Sequence, residues 1–215
     1  MEETTEVVAL QKAIWAYEDD TELLPPRVIV VAVKIGGQAF GAYDNGGRMV
    51  AFLVAFAATK PDGHKYLHSQ MLGVLPEYRN TGLGKRLKLH QRDDALSRGY
   101  DLIEWTFDPL QLKNAWFNIE GLGAIIRRYE RNLYGTSTSV LQGGLPTDRC
   151  IAEWWIARPR PQAEIIERVP VSADRSLALL EHVAEHFEAC FAKGLAVVGV
   201  ARVEDGIEYL FGVVE

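Results

Sequence analysis

The sequence contains few cysteines, no long apolar run and no excess of basic residues. Only Cys150 and Cys190 are cysteines, so neither a disulfide framework nor a zinc site with four closely spaced ligands is available. No run approaches the roughly 18 consecutive apolar residues of a membrane span, and residues 1–6 are acidic where a signal peptide needs a basic start. These absences predict a cytoplasmic protein without a metal or a membrane partner.

Charge and composition narrow the class further. The chain has 23 basic and 29 acidic residues, a formal net charge of −6, which predicts no nucleic-acid partner. Its 215 residues are 48% apolar and 24% charged, an ordinary globular mixture that excludes a disordered or low-complexity chain. This length fits one large domain or a domain with an appendage.

The N-terminal segments carry helical signals. Residues 7–17 place apolar side chains at helical spacing and predict an amphipathic helix. Residues 26–36 leave two alternatives open. Their β-branched side chains favour a strand, whereas a proline pair before them and a glycine pair after them favour a bounded helix.

A hairpin is predicted next. Residues 38–43 and 49–58 are apolar segments on either side of residues 44–47, Asp-Asn-Gly-Gly, which supply the positive φ angles of a tight turn. The next signals are a strand over 66–74 and a helix that opens at residues 79–84 and continues through 87–98. They are followed by strand 102–107, helix 110–119, strand 124–129 and strand 150–156.

The C-terminal quarter is predicted to be a separate unit. Residues 158–161, Arg-Pro-Arg-Pro, cannot continue a central strand. Residues 174–193 then predict a helix with one apolar face, and residues 195–203 and 207–214 predict a hairpin. We therefore expect a main domain over 1–157 and an extension over 158–215 that packs on the main domain or on a second subunit.

A glycine-containing loop between the strand ending at Val74 and the following helix predicts an anion site. A helix start presents unpaired backbone N–H groups and the positive end of the helix dipole, and glycines let a phosphate group approach them. Arg79, Lys85, Arg86 and Lys88 add local positive charge. A plain turn or close helix packing would use the same glycines.

The common nucleotide motifs do not fit this loop. A Walker loop needs Ser or Thr after its lysine, but Lys85 is followed by Arg86. A dinucleotide fingerprint needs a third glycine where Leu87 stands.

The loop resembles the coenzyme A signature of the GCN5-related N-acetyltransferase (GNAT) superfamily. Val74, Pro76, Arg79, Gly82 and Gly84 fall in register with that signature, and the resemblance covers roughly residues 6–157. Residues 71–79 and 105–110 are similar to a bacterial subgroup of undefined substrate. The resemblance implies a mixed α/β (α+β) fold, a central sheet flanked by helices with a C-terminal helix-hairpin extension, and it favours a helix at 26–36.

The resemblance also implies a co-substrate, acetyl-CoA or another acyl-CoA, and direct acyl transfer to the amine of a small molecule or amino acid. The strand before the loop and the next strand would splay apart, which frees backbone groups near Leu72 and Val74 for the pantetheine arm. Asn114 and Phe117 would contact the pantetheine or adenine end. The residues implied to hold the pyrophosphate are Arg79, Asn80, Thr81, Gly82, Leu83, Gly84 and Lys85. A homodimer is left open as the assembly.

Candidates for proton transfer are few. His68, Glu104 and Asp108 are candidate bases, although each also suits a structural role, Asp108 as a turn or helix cap. The family's tyrosine acid is replaced by Ile119, so Tyr134 is the candidate acid, with a plain surface role as the alternative. The family's first strand is short or missing. A coenzyme-binding sensor or scaffold without turnover is the alternative function.

Overall fold

The structure, a computed structural model, describes residues 2–214. Its helices are α1 (Glu2–Trp15), α2 (Pro26–Lys34), α3 (Leu83–Ser97), α4 (Leu112–Trp116) and α5 (Leu177–Ala192). Its strands are β1 (Gln38–Tyr43), β2 (Met49–Thr59), β3 (Lys65–Val74), β4 (Leu102–Phe107), β5 (Ile125–Glu130), β6 (Arg149–Trp155), β7 (Ile165–Ser172), β8 (Leu195–Val203) and β9 (Gly206–Val213). The contacts divide the chain into two compact units, the first running to Ile103 and including Ser137–Gly144, the second comprising Glu104–Thr136 and the chain from Leu145 onward.

The ambiguous segment at 26–36 is the helix α2. Pro26 occupies the first helical turn, where its missing N–H costs nothing and its fixed φ suits a helix. Ile29 and Ala32 are the buried residues of this helix. The helix ends before Gly36, whose φ of 100° is open only to glycine without strain.

The first unit is built on the antiparallel sheet β1-β2-β3. Side chains alternate across β2, so Val50, Phe52 and Val54 join the core formed with α1 and α2. The opposite face meets α3, where Gln38 and Ser69 bond to Gln91. Helix α3 is thereby held against all three strands.

One irregularity in this sheet lies on β3. Val54 pairs with Met71 and Ala55 pairs with Ser69, which leaves Gln70 as an extra residue. Such a β-bulge bends its strand and changes the direction of the residues after it. The last residues of β3 lead directly into the glycine loop.

The segment Ser137–Gly144 belongs to the first unit through Glu22. The Ser137 hydroxyl donates to the Glu22 carboxylate at 2.6 Å, and the Thr138 N–H donates to it at 2.7 Å. Ser139 also donates to the carbonyl oxygen of Trp15 at 3.3 Å. These bonds fix the segment beside the end of α1.

The second unit contains strands in the order β4-β6-β5-β8-β9-β7. Helix α5 begins at the N-cap Ser176, whose side chain accepts from the Leu179 N–H, and it packs on β5, β7 and β8. Phe187 on α5 is fully buried and meets Tyr209 and Phe211 edge-on. Strand β8 pairs antiparallel with β5, which ties the C-terminal hairpin to the earlier strands of this unit.

The expected mixed α/β fold class, with mostly antiparallel strands flanked by helices, is confirmed. Strand β7 was not expected, because Pro170 and the charged residues beside it hide the alternation of buried Val169 and Val171. The predicted helix over 110–119 is shorter, and it changes to a wider π turn at Phe117–Gly121. The division into domains at residue 157 stays a prediction.

No helix within residues 2–214 is both long enough and apolar enough to span a bilayer.

Candidate functional site

The loop between β3 and α3 is shaped by short-range bonds. Residues Pro76–Tyr78 form a single 3-10 turn, and the Thr81 hydroxyl donates to the Tyr78 carbonyl oxygen at 2.7 Å. Asn80 and Gly82 both have left-handed backbones, with φ of 61° and 81°. Asparagine and glycine are the residues that accept this conformation most easily, so the sequence itself dictates the bend.

The bend leaves the start of α3 open. Gly82 is the N-cap, and the first helical bond runs from the Arg86 N–H to the Gly82 carbonyl oxygen at 3.0 Å. The N–H groups of Leu83, Gly84 and Lys85 therefore lie ahead of the intrahelical bonds, at the positive end of the dipole. A Cβ built on Gly82 would meet nothing within 4 Å. An anionic group such as a diphosphate fits this open helix start.

The next glycine faces the end of β3. A Cβ on Gly84 would lie 3.8 Å from the side chains of Leu72 and Val74, an ordinary contact distance. Leu72 and Val74, expected to bond a pantetheine arm, are half-buried on β3, and so is His68. The first unit thus brings these three residues and the glycine loop onto one strand-loop-helix segment.

The positive charges near the loop fall into two groups. Arg79, Lys85 and Arg86 are exposed, and Arg79 is fixed because its Nε donates to the Val74 carbonyl oxygen at 3.2 Å. Lys88 is instead buried, and burial lowers its pKa to about 7. Lys88 therefore lies inside the protein and not on the surface of the loop, and burial disfavours its charged form.

Lys88 belongs to a buried polar network between α3 and the sheet. Its Nζ donates to Ser69 Oγ at 2.9 Å and to Gln91 Oε1 at 3.0 Å. Gln91 donates to Gln38 Oε1 at 3.1 Å, and Gln38 donates to Asp94 Oδ2 at 2.7 Å. This network fixes α3 on β1 and β3, and therefore fixes the helix start relative to the end of β3.

The two candidate carboxylates of the second unit are both buried and ion-paired. Glu104 lies 2.6 Å from an Arg128 guanidinium nitrogen. Asp108 accepts from the Leu110 N–H at 2.8 Å and from Arg175 at 2.7 Å. Asp108 therefore closes the turn after β4 as well as pairing with an arginine. Both carboxylates are engaged in holding the second unit together.

Tyr134, the candidate acid, has an exposed ring and a fixed hydroxyl. Its hydroxyl lies 2.9 Å from Thr106 Oγ1 on β4, and its backbone N–H donates to Thr147 Oγ1 at 2.9 Å. The guanidinium carbon of Arg149 lies 5.6 Å from the ring centroid, and burial lowers the pKa of Arg149.

Asn114 and Phe117 lie on α4 and at its end. Asn114 Oδ1 accepts from Asn118 at 3.4 Å, and both predicted contact residues are half-buried. The π turn after α4 is held by Glu120, which pairs with Arg160 at 3.1 Å and accepts from the Val200 N–H at 3.1 Å. The coenzyme contacts of Asn114 and Phe117 stay predictions.

Comparison with known proteins decides the family. The family model described as "Acetyltransferase (GNAT) family" matches residues 5–117, more than half of the chain. The chain belongs to the GNAT acetyltransferase family. No curated protein sequence matches it.

Solved structures of the GNAT fold are similar to this chain. The ribosomal-protein-S18-alanine N-acetyltransferase of Escherichia coli is 18% identical, with 73% of this chain and 89% of that chain covered at a TM-score of 0.55. Arabidopsis thaliana Naa50 is 19% identical, with 71% and 91% covered at 0.54. Aminoglycoside 6'-acetyltransferase type Ii is 21% identical, with 74% and 92% covered at 0.54. At these identities the similarity shows the fold alone.

Some contacts of the candidate residues were not found from the sequence. Arg175 pairs with Asp108 across 67 residues of chain, a contact that no local pattern reveals. Thr106 was missed because its role depends on Tyr134. Lys88 had a readable signal, since it shares one helix stripe with the buried Gln91 and Ala95. Ile119, which the resemblance aligns with the family's tyrosine, is fully buried.

Proposed function

We propose that this GNAT protein is an N-acyltransferase that uses acetyl-CoA. The observation that carries the proposal is the open start of α3 at Gly82, where a Cβ would meet no atom within 4 Å. Structures similar to this chain in fold are described in complex with CoA and with a bisubstrate analogue containing CoA. The buried, unpaired thiols of Cys150 and Cys190 suit the proposed cytoplasmic setting.

The diphosphate of the coenzyme is assigned to the backbone N–H groups of Leu83, Gly84 and Lys85. Oriented N–H groups at a helix start bind phosphate without a dedicated cation. The exposed side chains of Lys85 and Arg86 add attraction from solvent. Leu72 and Val74 would supply main-chain bonds to the pantetheine arm, because the Gln70 bulge redirects this part of β3.

We assign proton transfer to His68 and Tyr134. When bound, the thioester supplies the acyl group, which forms a bond to the amine nitrogen as its C–S bond breaks. His68 would accept the proton that the amine loses, directly or through water. Tyr134 would donate its hydroxyl proton to the departing sulfur. Glu104 and Asp108 are assigned to positioning, since both are held by arginines.

The acceptor is proposed to be a small amine or an amino acid. The fold similarity to an aminoglycoside acetyltransferase supports a small acceptor. Because the fold is also similar to that of a ribosomal-protein N-acetyltransferase, peptides are the acceptors against which small amines should be tested. A panel containing polyamines, amino acids, an aminoglycoside and short peptides separates these classes.

Thermal unfolding and release of free thiol together test the proposal. Acetyl-CoA at about 100 times its dissociation constant should add roughly 2.7 kcal/mol to the unfolding free energy. Free thiol should then appear only when an accepted amine is added. Protection without thiol release on any amine would support a sensor. Absence of protection would overturn coenzyme binding altogether.

A further inference from the structure

We propose that the first unit contains a homodimer interface, formed by the outer edge of β1 together with the exposed apolar side chains of α2. We call this the edge surface; its residues are Val28, Val31, Ile35 and 38–43. This inference concerns assembly and stands independently of the proposed acyl transfer.

The strand β1 is an edge without protection. It ends the strand order of the first unit and pairs with β2 alone among the strands formed by residues 2–214. Its sequence, Gln-Ala-Phe-Gly-Ala-Tyr, contains neither a charged residue nor a proline. Natural edge strands usually carry such residues, because an unprotected edge pairs with other chains.

The edge strand of the second unit shows the usual protection. β7 pairs with β9 alone among the strands that the structure describes. It carries Glu167, Arg168 and Pro170 within eight residues. The protein thus protects one strand edge with charge and proline but leaves the other apolar, as expected if β1 is covered in the native assembly.

Helix α2 adds an apolar surface beside this edge. Val31 and Ile35 are 53% and 61% exposed, and Val28, Val30 and Val33 are also exposed. Within α2 only Arg27 and Lys34 are charged. Helical spacing places Val28, Val31 and Ile35 along one side of α2, where they form an exposed apolar stripe. An exposed stripe of this kind beside an open strand edge marks an interaction site.

The packing of the first unit places α2 on the β1 side. Helix α1 contacts β2 and β3, whereas α2 contacts β1 and β2. The Gly37 N–H donates to the Ala32 carbonyl oxygen at 2.7 Å, which fixes α2 directly at the start of β1. A chain that pairs with β1 would therefore also meet the apolar side chains of α2.

Charge at the two ends of β1 favours a second copy as the occupant. Exposed Lys34 lies at its start, beside Arg98, which donates to the Gly37 carbonyl oxygen at 3.3 Å and is ion-paired with Asp94 at 3.1 Å. Asp44 follows its end, and the carboxylates of Glu3 and Glu6 are close enough to Tyr43 to help burial raise its pKa.

Antiparallel pairing about a two-fold axis brings opposite ends of β1 together. The basic start of one copy would then meet the acidic end of its partner, and the same contact would form twice, as an isologous interface requires. The two copies of β1 would then pair along their outer edges, and the apolar stripes of the two α2 helices would bury each other.

Sedimentation equilibrium of the full chain tests the interface. The wild type should be a dimer that dissociates only on dilution. Val31→Lys and Ala39→Lys should each raise the dimer dissociation constant by about 100-fold or more. Each variant would bury an unpaired ammonium group at the interface, which is costly. Ile166→Lys on the exposed part of β7 is the matched control and should stay dimeric. Circular dichroism and thermal midpoints should show that all three variants remain folded.

Amide hydrogen exchange supplies a second measurement. Exchange in residues 38–43 should slow at least several-fold as the protein concentration rises from about 1 to about 100 µM, the range that spans a micromolar dissociation constant. A monomeric wild type over this range would overturn the proposal and leave the edge surface to a different chain. A dimer that survives both Val31→Lys and Ala39→Lys would also overturn it.

Discussion

The Nζ atom of Lys88 lies 2.9 Å from Ser69 Oγ, which joins the middle of α3 to the strand that ends at the glycine loop. Both residues are buried, and Gln91 completes the contact. The Lys88 amine donates hydrogen bonds to Ser69 and Gln91 but is removed from water. The loss of hydration disfavours its charged form and lowers its pKa to about 7. The position of the loop therefore depends on a titratable group.

Replacing Lys88 by methionine should change the pH dependence of stability. Between the folded pKa of about 7 and the unfolded value of 10.5, the unfolded wild type holds a proton that the folded protein has lost. The unfolding free energy of the wild type should therefore rise relative to Lys88→Met by up to about 1.4 kcal/mol per pH unit over this window. Below the folded pKa the difference should be constant. Urea unfolding at a series of pH values measures it, and a constant difference throughout would contradict burial of the amine.

Alanine at Gly82 should weaken coenzyme binding. Gly82 and Gly99 have nearly the same left-handed φ, 81° and 79°, and a Cβ meets nothing within 4 Å at either position. Each substitution should lower stability by about 1–2 kcal/mol, because both place a Cβ in the left-handed region. Only Gly82→Ala crowds the helix start, so only it should raise the CoA dissociation constant, by about tenfold or more. Isothermal titration calorimetry measures the CoA dissociation constants of both variants. Equal constants would show that the loop does not bind the coenzyme.

Removing the Tyr134 hydroxyl should slow turnover without affecting coenzyme binding. Loss of a general acid typically costs about 100-fold or more in rate, so Tyr134→Phe should lower kcat by that order on an accepted amine. Thr106→Val, which removes only the 2.9 Å partner of the hydroxyl, should have a smaller effect. The half-exposed ring predicts a stability change within about 0.5 kcal/mol. If kcat is unchanged in Tyr134→Phe, the hydroxyl has a structural role and is not the general acid.

Arg175→Met should destabilise the second unit. The Asp108 side chain is 4% exposed, and the Arg175 guanidinium lies 2.7 Å from its carboxylate. Leaving a buried carboxylate without its cation typically costs about 3–5 kcal/mol. Adding Asp108→Asn should recover part of that loss, because the amide needs no counterion and still accepts from the Leu110 N–H. Denaturant titrations of both single variants and the double variant give the coupling energy, and simple additivity would show that the pair does not interact.

Local patterns in the sequence predict much of this fold. The turn residues 44–47 fix the β1-β2 hairpin, and β4 has the predicted bounds because its apolar run is bordered by polar residues. The glycine loop is also readable, since Asn80 and Gly82 are where the chain takes left-handed conformations. Each of these features is determined by residues within a few positions of it.

Features that depend on distant residues could not be predicted. The partner of Asp108 is 67 residues away, and Glu22 finds its donors more than 110 residues later. Strand β7 was missed because an edge strand buries only alternate side chains, here Val169 and Val171, among charged neighbours. The burial of Lys88 is a different case, because its place on one helix stripe with Gln91 and Ala95 was a signal, while its charge suggested a solvated residue.

The bonds between Glu22 and the segment Ser137–Gly144 restrict how the chain can be divided. The polypeptide leaves the first unit after Ile103, returns at Ser137 and leaves again after Gly144. A fragment that stops at Ile103 would strip Glu22 of its hydroxyl and amide donors. A shortened or split version of the protein should therefore keep residues 2–144 on one polypeptide.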